Sequence, residues 1–124
     1  MSTKLHDVST QAKFGHSITP DTYTESQIGR TIDLIDGDGP CFVTGSLLAF
    51  TTPEPVAIAV QESNDQTVWT AVAIAPPIAI SAPFDGVSTS RFTRTKRYVR
   101  ASIAAEEGSD IRAAILIGQQ KKTV

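Results

Sequence analysis

The chain has one cysteine, Cys41, among its 124 residues. A single thiol cannot form an internal disulfide, so the fold does not depend on a covalent cross-link and suits a reducing compartment. Because Cys41 begins an apolar segment, we predict a small buried thiol. A catalytic thiol would need a general base, and the two histidines, His6 and His16, both lie in the poorly patterned N-terminal region.

Long apolar runs are also missing. No stretch reaches the ~18 consecutive apolar residues that a membrane-spanning helix requires. The most apolar stretch, residues 56–80, is interrupted by the polar residues 61–65 and by Pro76-Pro77. Residues 1–15 contain no apolar core of the length found in secretory signal peptides. We therefore expect a soluble protein that is not secreted through an N-terminal signal and has no membrane partner.

Sequence patterns of catalytic and cofactor sites are absent as well. There is no glycine-rich phosphate loop, no cysteine–histidine zinc spacing and no nucleophile-elbow sequence. Residues 36–39, Asp-Gly-Asp-Gly, resemble the start of a calcium loop but lack its later oxygen ligands and closing glutamate. We interpret them as a turn that ends a strand. The expectation is a protein that is not an enzyme and holds no cofactor or metal.

Positive charge is missing from the middle of the chain. Residues 31–90 contain seven acidic residues and no Lys or Arg, whereas residues 91–124 contain eight basic and three acidic residues, so the segments carry −7 and +5. If the fold brings these segments together, they partly neutralise each other. If they face each other between copies of the protein, they form complementary patches that steer association.

What the chain does contain is Val, Ile and Thr in short alternating runs, a composition that favours strands. Turn residues separate these runs, as in Ser63–Gln66 and Glu106–Asp110. We predict eight strands, at 31–35, 41–50, 56–61, 69–74, 78–80, 90–95, 98–104 and 111–117, with a loop at 83–88. Short strands at regular spacing indicate an all-β protein, an antiparallel β-sandwich or jelly roll of about eight strands.

The chain length corresponds to a single domain. Residues 1–27 are polar and have no sustained period, so we predict an extended N-terminal arm, with one short strand near Ser17–Thr24. Arms of this kind are often ordered only against a partner. Residues 28–124 are predicted to form the sandwich domain.

A basic face is predicted near the C-terminal third of the chain. On extended backbone, alternate residues share a face, and this face consists of Arg94, Lys96, Tyr98 and Arg100. Binding of nucleic acid would need more positive charge and more stacking groups. We expect contact with an acidic protein surface or with solvent instead, and no nucleic-acid partner.

The last predicted strand, 111–117, is apolar on both faces. Its second face carries Ala114 and Leu116 beside Arg112. A strand that is apolar on both faces is covered twice, once by the core and once by something else. A second copy of the protein and an overlying loop are the two alternatives, and Arg112 and Leu116 join the candidate partner contacts.

Two segments resemble a pattern in jelly-roll proteins. Residues 60–69 read Val-Gln-x-Ser-x-Asp-x-x-x-Trp, and residues 97–101 read Arg-Tyr-Val-Arg-Ala. With the Ile-Asp-Leu strand at 32–34 that follows a polar arm, they resemble the small capsid cement, or decoration, proteins of tailed bacteriophages over roughly residues 31–118. The resemblance implies a structural virion protein, made in the host cytoplasm, on the outer surface of an icosahedral capsid. It implies a homotrimer that binds the major capsid protein and stabilises contacts between coat subunits.

The same segments are also similar to the discoidin-like jelly rolls, which bind carbohydrates or lipids. Gln66 stands where those proteins usually have a turn glycine, and their flanking disulfide is missing. This second resemblance implies an alternative function, a carbohydrate-binding module with carbohydrate as its partner. A tail or baseplate accessory protein is a further alternative.

Overall fold

A computed structural model describes residues 12–34 and 40–120. Over these ranges the chain forms ten strands, and no helix in them is long and apolar enough to cross a membrane. The strands are β1 (Ala12–Tyr23), β2 (Gln27–Ile28), β3 (Ile32–Asp33), β4 (Cys41–Thr51), β5 (Val56–Ser63), β6 (Thr70–Val72), β7 (Ile78–Ile80), β8 (Phe84–Phe92), β9 (Tyr98–Ala104) and β10 (Asp110–Gln120).

The strands form two antiparallel sheets. The first sheet has the order β1-β10-β4-β8. In the second sheet, β9 and β5 are central, β2 and β3 pair with the outer edge of β9, and β6 and β7 pair with the outer edge of β5. The chain passes repeatedly between the sheets, and its last strand lies between β1 and β4. This is a jelly-roll β-sandwich, so the predicted fold class is confirmed.

The loop predicted at residues 83–88 is wrong. Phe84–Phe92 form β8, which pairs with β4 along its whole length. The inward positions at the start of β8 include Gly86 and Ser88, which leave no apolar alternation to detect. Pairing with β4, and not local propensity, makes this segment a strand.

The range predicted as an N-terminal arm, residues 1–27, contributes a strand of the sandwich. Ala12–Tyr23 is β1 and pairs with β10, while residues 1–11 lie outside the described residues. The sandwich therefore includes residues from position 12 onward, well before the predicted boundary at 28. The physical reason is that β10 has two edges: β4 pairs with one, and the backbone groups of the other need a hydrogen-bonding partner as well. The turn predicted at 36–39 also lies outside the described residues.

The core lies between the two sheets and follows the two-residue period of each strand. Its most completely buried members are Leu34, Val43, Leu47, Val56, Val60, Val99, Ile103, Ile111, Ile115 and Ile117. Burial of each side chain of this size contributes about 1.5–3 kcal/mol before conformational entropy is subtracted. Cys41 belongs to the same core, which confirms the predicted buried thiol, and burial raises the pKa of that thiol above its ordinary value of 9.0.

Ser17 joins the two sheets at the point where β1 shifts its register on β10. The Ser17 hydroxyl accepts a hydrogen bond from the Ala101 N–H on β9 at 2.8 Å and donates one to the Arg30 carbonyl at 2.8 Å. Gly29 completes this contact, because its N–H donates to the Ala101 carbonyl and an added Cβ would overlap with Ser17 Oγ. The close approach leaves room only for glycine.

The turn predicted at Ser63–Gln66 lies between β5 and β6, and Asp65 organises it. The Asp65 carboxylate accepts hydrogen bonds from the N–H groups of Val68 at 3.0 Å and Thr67 at 2.9 Å, and from the Ser63 hydroxyl at 2.9 Å. These bonds lower the pKa of Asp65 from 3.8 to about 2. Gln66 has a φ of 62°, the left-handed conformation that glycine adopts more readily.

We expect Ile115→Ala to lower the free energy of unfolding by about 2–5 kcal/mol, because Ile115 is fully buried and the truncation leaves a cavity. The matched control is Ile28→Ala, at a side chain that is 67% exposed, where a change of about 0.5 kcal/mol or less is expected. Urea unfolding followed by circular dichroism measures both. Equal losses for the two variants would contradict the assignment of β10 to the core.

We expect the stabilising effect of the Asp65 charge to depend on pH. The folded-state pKa is lower than that of an unfolded aspartate, so the charge contributes stability above about pH 4 and loses that contribution as the pH falls toward 2. The control is Asp65→Asn, which keeps the acceptor oxygen Oδ1 but removes the charge. The difference between the urea midpoints of the two proteins should be constant near neutral pH and shrink below about pH 4. A difference that stays constant over the whole range would contradict this account.

Candidate partner-binding surfaces

Five of the six candidate contact residues fall on two opposite sides of the sandwich. Tyr98 and Arg100 lie on the outer face of the second sheet, and Lys96 lies two residues before the start of β9. Arg112 and Leu116 lie on the outer face of the first sheet. The sixth residue, Arg94, lies in the connection between β8 and β9 and on neither outer face. The structure therefore does not bring the six residues into one site.

Arg94 does not share the face of Tyr98 and Arg100, which corrects its predicted placement. Its guanidinium donates hydrogen bonds to Gln119 Oε1 at 2.8 Å, to the Leu34 carbonyl at 2.6 Å and to the Lys96 carbonyl at 3.0 Å. The prediction extended the two-residue period through the connection between β8 and β9. That connection is not a strand, so its side chains do not alternate between two faces.

Glu62 holds the same connection from the side of β5, and the sequence analysis did not identify it. Its side chain points inward and is 7% exposed. The carboxylate accepts hydrogen bonds from the Thr95 N–H and hydroxyl, both at 2.8 Å, and from the Lys96 N–H at 3.3 Å. Such bonds offset the cost of burying a carboxylate. The sequence did contain a signal for this role. Val56, Ile58 and Val60 alternate as inward residues of β5, and Glu62 occupies the next inward position.

The outer face of the second sheet carries a polar and aromatic cluster at one end. We call this cluster the β9 surface; it consists of Lys96, Arg97, Tyr98, Arg100, Gln61 and Trp69. Arg100 is central, because its Nε donates to Gln61 Oε1 at 2.9 Å and its guanidinium carbon lies 4.0 Å from the centroid of the Trp69 ring. The stacked guanidinium leaves an amphipathic surface with both hydrogen-bonding and aromatic groups.

Arg97 joins the acidic middle of the chain to its basic end. Its guanidinium forms a two-bond ion pair with Asp33 of β3, with Nε–Oδ1 at 3.0 Å and Nη2–Oδ2 at 2.8 Å, and stacks 4.9 Å from the centroid of the Tyr98 ring. The two oppositely charged segments therefore do meet within the fold at this point. Both side chains are about 40% exposed, so the pair contributes less than about 1 kcal/mol to stability. Nearby, Lys96 Nζ donates to the Thr70 hydroxyl at 3.2 Å.

The outer face of the first sheet has a different character. We call it the β10 surface; it consists of Arg112, Ala114, Leu116, Thr44, Ser46, Leu48, Asp85, Val87 and Thr89. Strand pairing arranges these residues in three rows across the sheet: Arg112–Leu48–Asp85, Ala114–Ser46–Val87 and Leu116–Thr44–Thr89. Val87 is 66% exposed, and Phe50 at the end of β4 is 51% exposed. The surface is therefore mostly apolar or small, with one cation and one anion in the same row.

The β10 surface is not flat. An open groove of about 470 Å³ runs beside β10, with Ala114, Ser46, Leu48 and Arg112 on one side and residues 20–22 of β1 on the other. Beyond Leu48, a second depression of about 360 Å³ lies against Phe50. Protruding and recessed positions alternate across this face.

The prediction that both faces of β10 are covered is confirmed for its inward face only. Its inward side chains are buried, while on its outer side Ala114 and Leu116 are only half-buried. In residues 12–34 and 40–120, no loop covers this face. The alternative of a second copy stays a prediction.

The described residues include side chains of the types that bind metal ions, such as His16 and Cys41. No group of three or more His, Cys, Asp and Glu side chains is positioned there to hold an ion. His16, one of the two histidines considered as a base for Cys41, is exposed on the outer side of β1, opposite Leu116. Cys41 is buried in the core, so the described parts of the chain do not place these two groups together.

Comparison with known proteins gives structural likenesses alone. No protein-family model matches the chain, and no curated protein matches its sequence. A chain of the Bacillus endospore appendages, which form a family of disulfide-linked pili, is 16% identical with a TM-score of 0.48, covering 90% of this chain and 92% of that one. A chain of infectious bursal disease virus, Gx strain, is 12% identical with a TM-score of 0.49, covering 90% of this chain and 32% of the viral one. Neither TM-score reaches 0.5, so both are similarities of shape from which no function is taken.

We expect Arg100→Ala to uncover one face of the Trp69 ring. Trp69 is the only tryptophan, so its fluorescence reports on this contact alone. Its emission maximum should move to longer wavelength, and quenching by acrylamide should increase, while far-ultraviolet circular dichroism stays unchanged. The control is Arg30→Ala, an exposed arginine in the connection between β2 and β3. Unchanged emission and quenching for Arg100→Ala would show that the stacked pair does not form in solution.

Proposed function

We propose that this protein is a non-enzymatic structural protein of a tailed-phage virion. In this proposal it binds the major capsid protein on the outer surface of the capsid and stabilises the contacts between coat subunits. The proposal includes its presence in the virion after synthesis in the host cytoplasm. It also includes the homotrimer that the resemblance to cement proteins implies.

The observation that carries the proposal is the position of the two surfaces. The β9 surface and the β10 surface lie on the outer faces of the two packed sheets, on opposite sides of one sandwich. Packed sheets are separated by about 10 Å and move together as a unit. A small body with two different binding faces can join two neighbours and transmit load between them, which is what a cement protein does.

The chemistry of the β9 surface suits contact with another protein. Tyr98 and Arg100 present aromatic surface and hydrogen-bond donors, and these two residue types are enriched in protein interfaces. Lys96 adds positive charge beside them. An acidic coat surface would complement them. On a capsid, many identical weak contacts add up through multivalency, so each contact need not be strong.

The position of the two resemblance segments is also consistent with the proposal. Residues 60–69 include the end of β5 and its following turn, and residues 97–101 include the first four residues of β9. These two strands pair directly, with Gln61 opposite Arg100 and Ser63 opposite Tyr98. Of these segments, Gln61, Trp69, Arg97, Tyr98 and Arg100 belong to the β9 surface. Val60, Ser63, Val99 and Ala101 are buried beneath it.

We expect the protein to co-sediment with empty capsids of the phage that encodes it and to saturate at a fixed number of copies per capsid. Arg100→Glu should weaken this binding about tenfold or more, because it places a like charge against an acidic coat surface. The control is Arg91→Glu, the same charge change on the outer face of the first sheet. Absence of saturable binding by the wild-type protein would refute the proposed function, and equal weakening by both variants would refute the role of the β9 surface.

The carbohydrate-binding alternative rests on Trp69 and Tyr98, two aromatic rings on one face. Sugar rings stack on exposed aromatic faces, but Arg100 already covers one face of Trp69 at 4.0 Å. Reproducible hits on a glycan array together with no capsid binding would favour this alternative. Sedimentation with tails and not with capsids would favour a tail or baseplate accessory protein.

A further inference from the structure

Two opposite charges on the β10 surface lack an ionic partner within the described part of the chain. Arg112 and Asp85 occupy the ends of one row, with Leu48 between them. Two strand spacings separate their backbones by about 10 Å, so they flank Leu48 without meeting. Among the residues that the structure describes, neither side chain forms an ion pair; Arg112 stacks only loosely on Phe50, at 5.9 Å from the ring centroid. A partner that covers this row therefore contacts both a cation and an anion.

A two-fold axis parallel to β4 makes this row complementary to itself. Rotation about an axis that lies between two facing copies of the first sheet places β4 over the partner's β4 and β10 over the partner's β8. Arg112 then faces the partner's Asp85, and Asp85 faces the partner's Arg112. Leu48 faces the partner's Leu48, so two ion pairs flank an apolar contact, and the interface is isologous.

The same two-fold rotation also places a protruding side chain of each copy over a recessed position of the other. In the next row, Ala114 faces the partner's Val87. Val87 is among the most exposed apolar side chains, and Ala114 lines the groove of about 470 Å³. Each copy thus places a protruding valine over the groove of the other. Apolar groups removed from water in this way supply the favourable free energy of association.

Among the outward residues of β10, β4 and β8, no like charges are opposed under this symmetry. The remaining basic residue of this face on β8, Arg91, lies in the row of Phe42 and Gly118. It therefore faces the partner's Gly118, and Phe42 faces the partner's Phe42. A coat subunit or another protein would need its own acidic, apolar and basic groups at the matching positions. A second copy of this chain has them because of the two-fold symmetry.

We propose that the β10 surface is a two-fold interface between two copies of this chain, held by reciprocal Arg112–Asp85 ion pairs around Leu48 and by insertion of Val87 over Ala114. This contact lies on the opposite side of the sandwich from the β9 surface and does not depend on capsid binding. Combined with the proposed three-fold contact about an axis perpendicular to it, the two-fold contact gives six copies in D3 symmetry. The protein therefore has a mass of two or six protomers.

The test is native mass spectrometry and analytical ultracentrifugation of the full chain, up to high micromolar concentration and at low salt. The wild-type protein should show even multiples of the protomer mass. Arg112→Asp and Asp85→Arg should each weaken the pairing about tenfold or more, because each opposes like charges twice in the interface. Mixing the two variants should restore it, since in a mixed pair each end of the row again opposes one acidic and one basic side chain.

The control is Arg30→Asp, an equal charge change outside the first sheet, which should leave the mass unchanged. A wild-type protein of one or three protomers would overturn the inference, as would pairing that survives both single variants. Failure of the mixture to pair, with both variants folded by circular dichroism, would also overturn it. If a charge-reversed chain does not fold, Val87→Ala tests the same contact with native charges, and an unchanged dissociation constant would count against the proposed geometry.

Discussion

The two-residue period of β10 is the constraint on which the sandwich and its surface both depend. Antiparallel pairing with β1 and β4 fixes which side chains of β10 face the core and which face outward. Ile115 is buried for that reason, and Leu116 and Arg112 are on the outer face for the same reason. A shift of one residue would exchange the two faces. The register that stabilises the fold is therefore also the register that builds the β10 surface.

The buried carboxylate of Glu62 and the half-buried guanidinium of Arg94 control the other surface. Glu62 accepts hydrogen bonds from the connection between β8 and β9, and Arg94 extends from that connection to Gln119 and Leu34. Buried charges are tolerated when they are hydrogen-bonded, and they then fix the geometry of what they contact. The start of β9 is held in this way, and Tyr98 and Arg100 follow with defined orientations. An internal polar network thus determines how an external surface is presented.

The two surfaces differ in a way that suits assembly. The β9 surface presents hydrogen-bonded and stacked cations, while the β10 surface consists mostly of apolar and small hydroxyl side chains, with Arg112 and Asp85 in one row. Polar surfaces of the first kind favour orientation and specificity, and apolar surfaces of the second kind favour burial. Since they lie on opposite sheets, both can be occupied at once. The proposed cross-linking role requires that both surfaces be accessible at the same time.

Local sequence determined the elements whose period is unambiguous. The runs that became β4, β5, β7, β9 and β10 could be predicted, together with the buried Cys41 and the outward positions of Tyr98 and Arg100, because alternation alone assigns a face. Tertiary structure decided the rest. β8 is a strand because β4 pairs with it, β1 joins the sheet because β10 has a second edge, and Arg94 points inward because its connection leaves the strand period. The row of Arg112, Leu48 and Asp85 comes from three strands far apart in the sequence, and only their pairing places a cation and an anion on either side of Leu48.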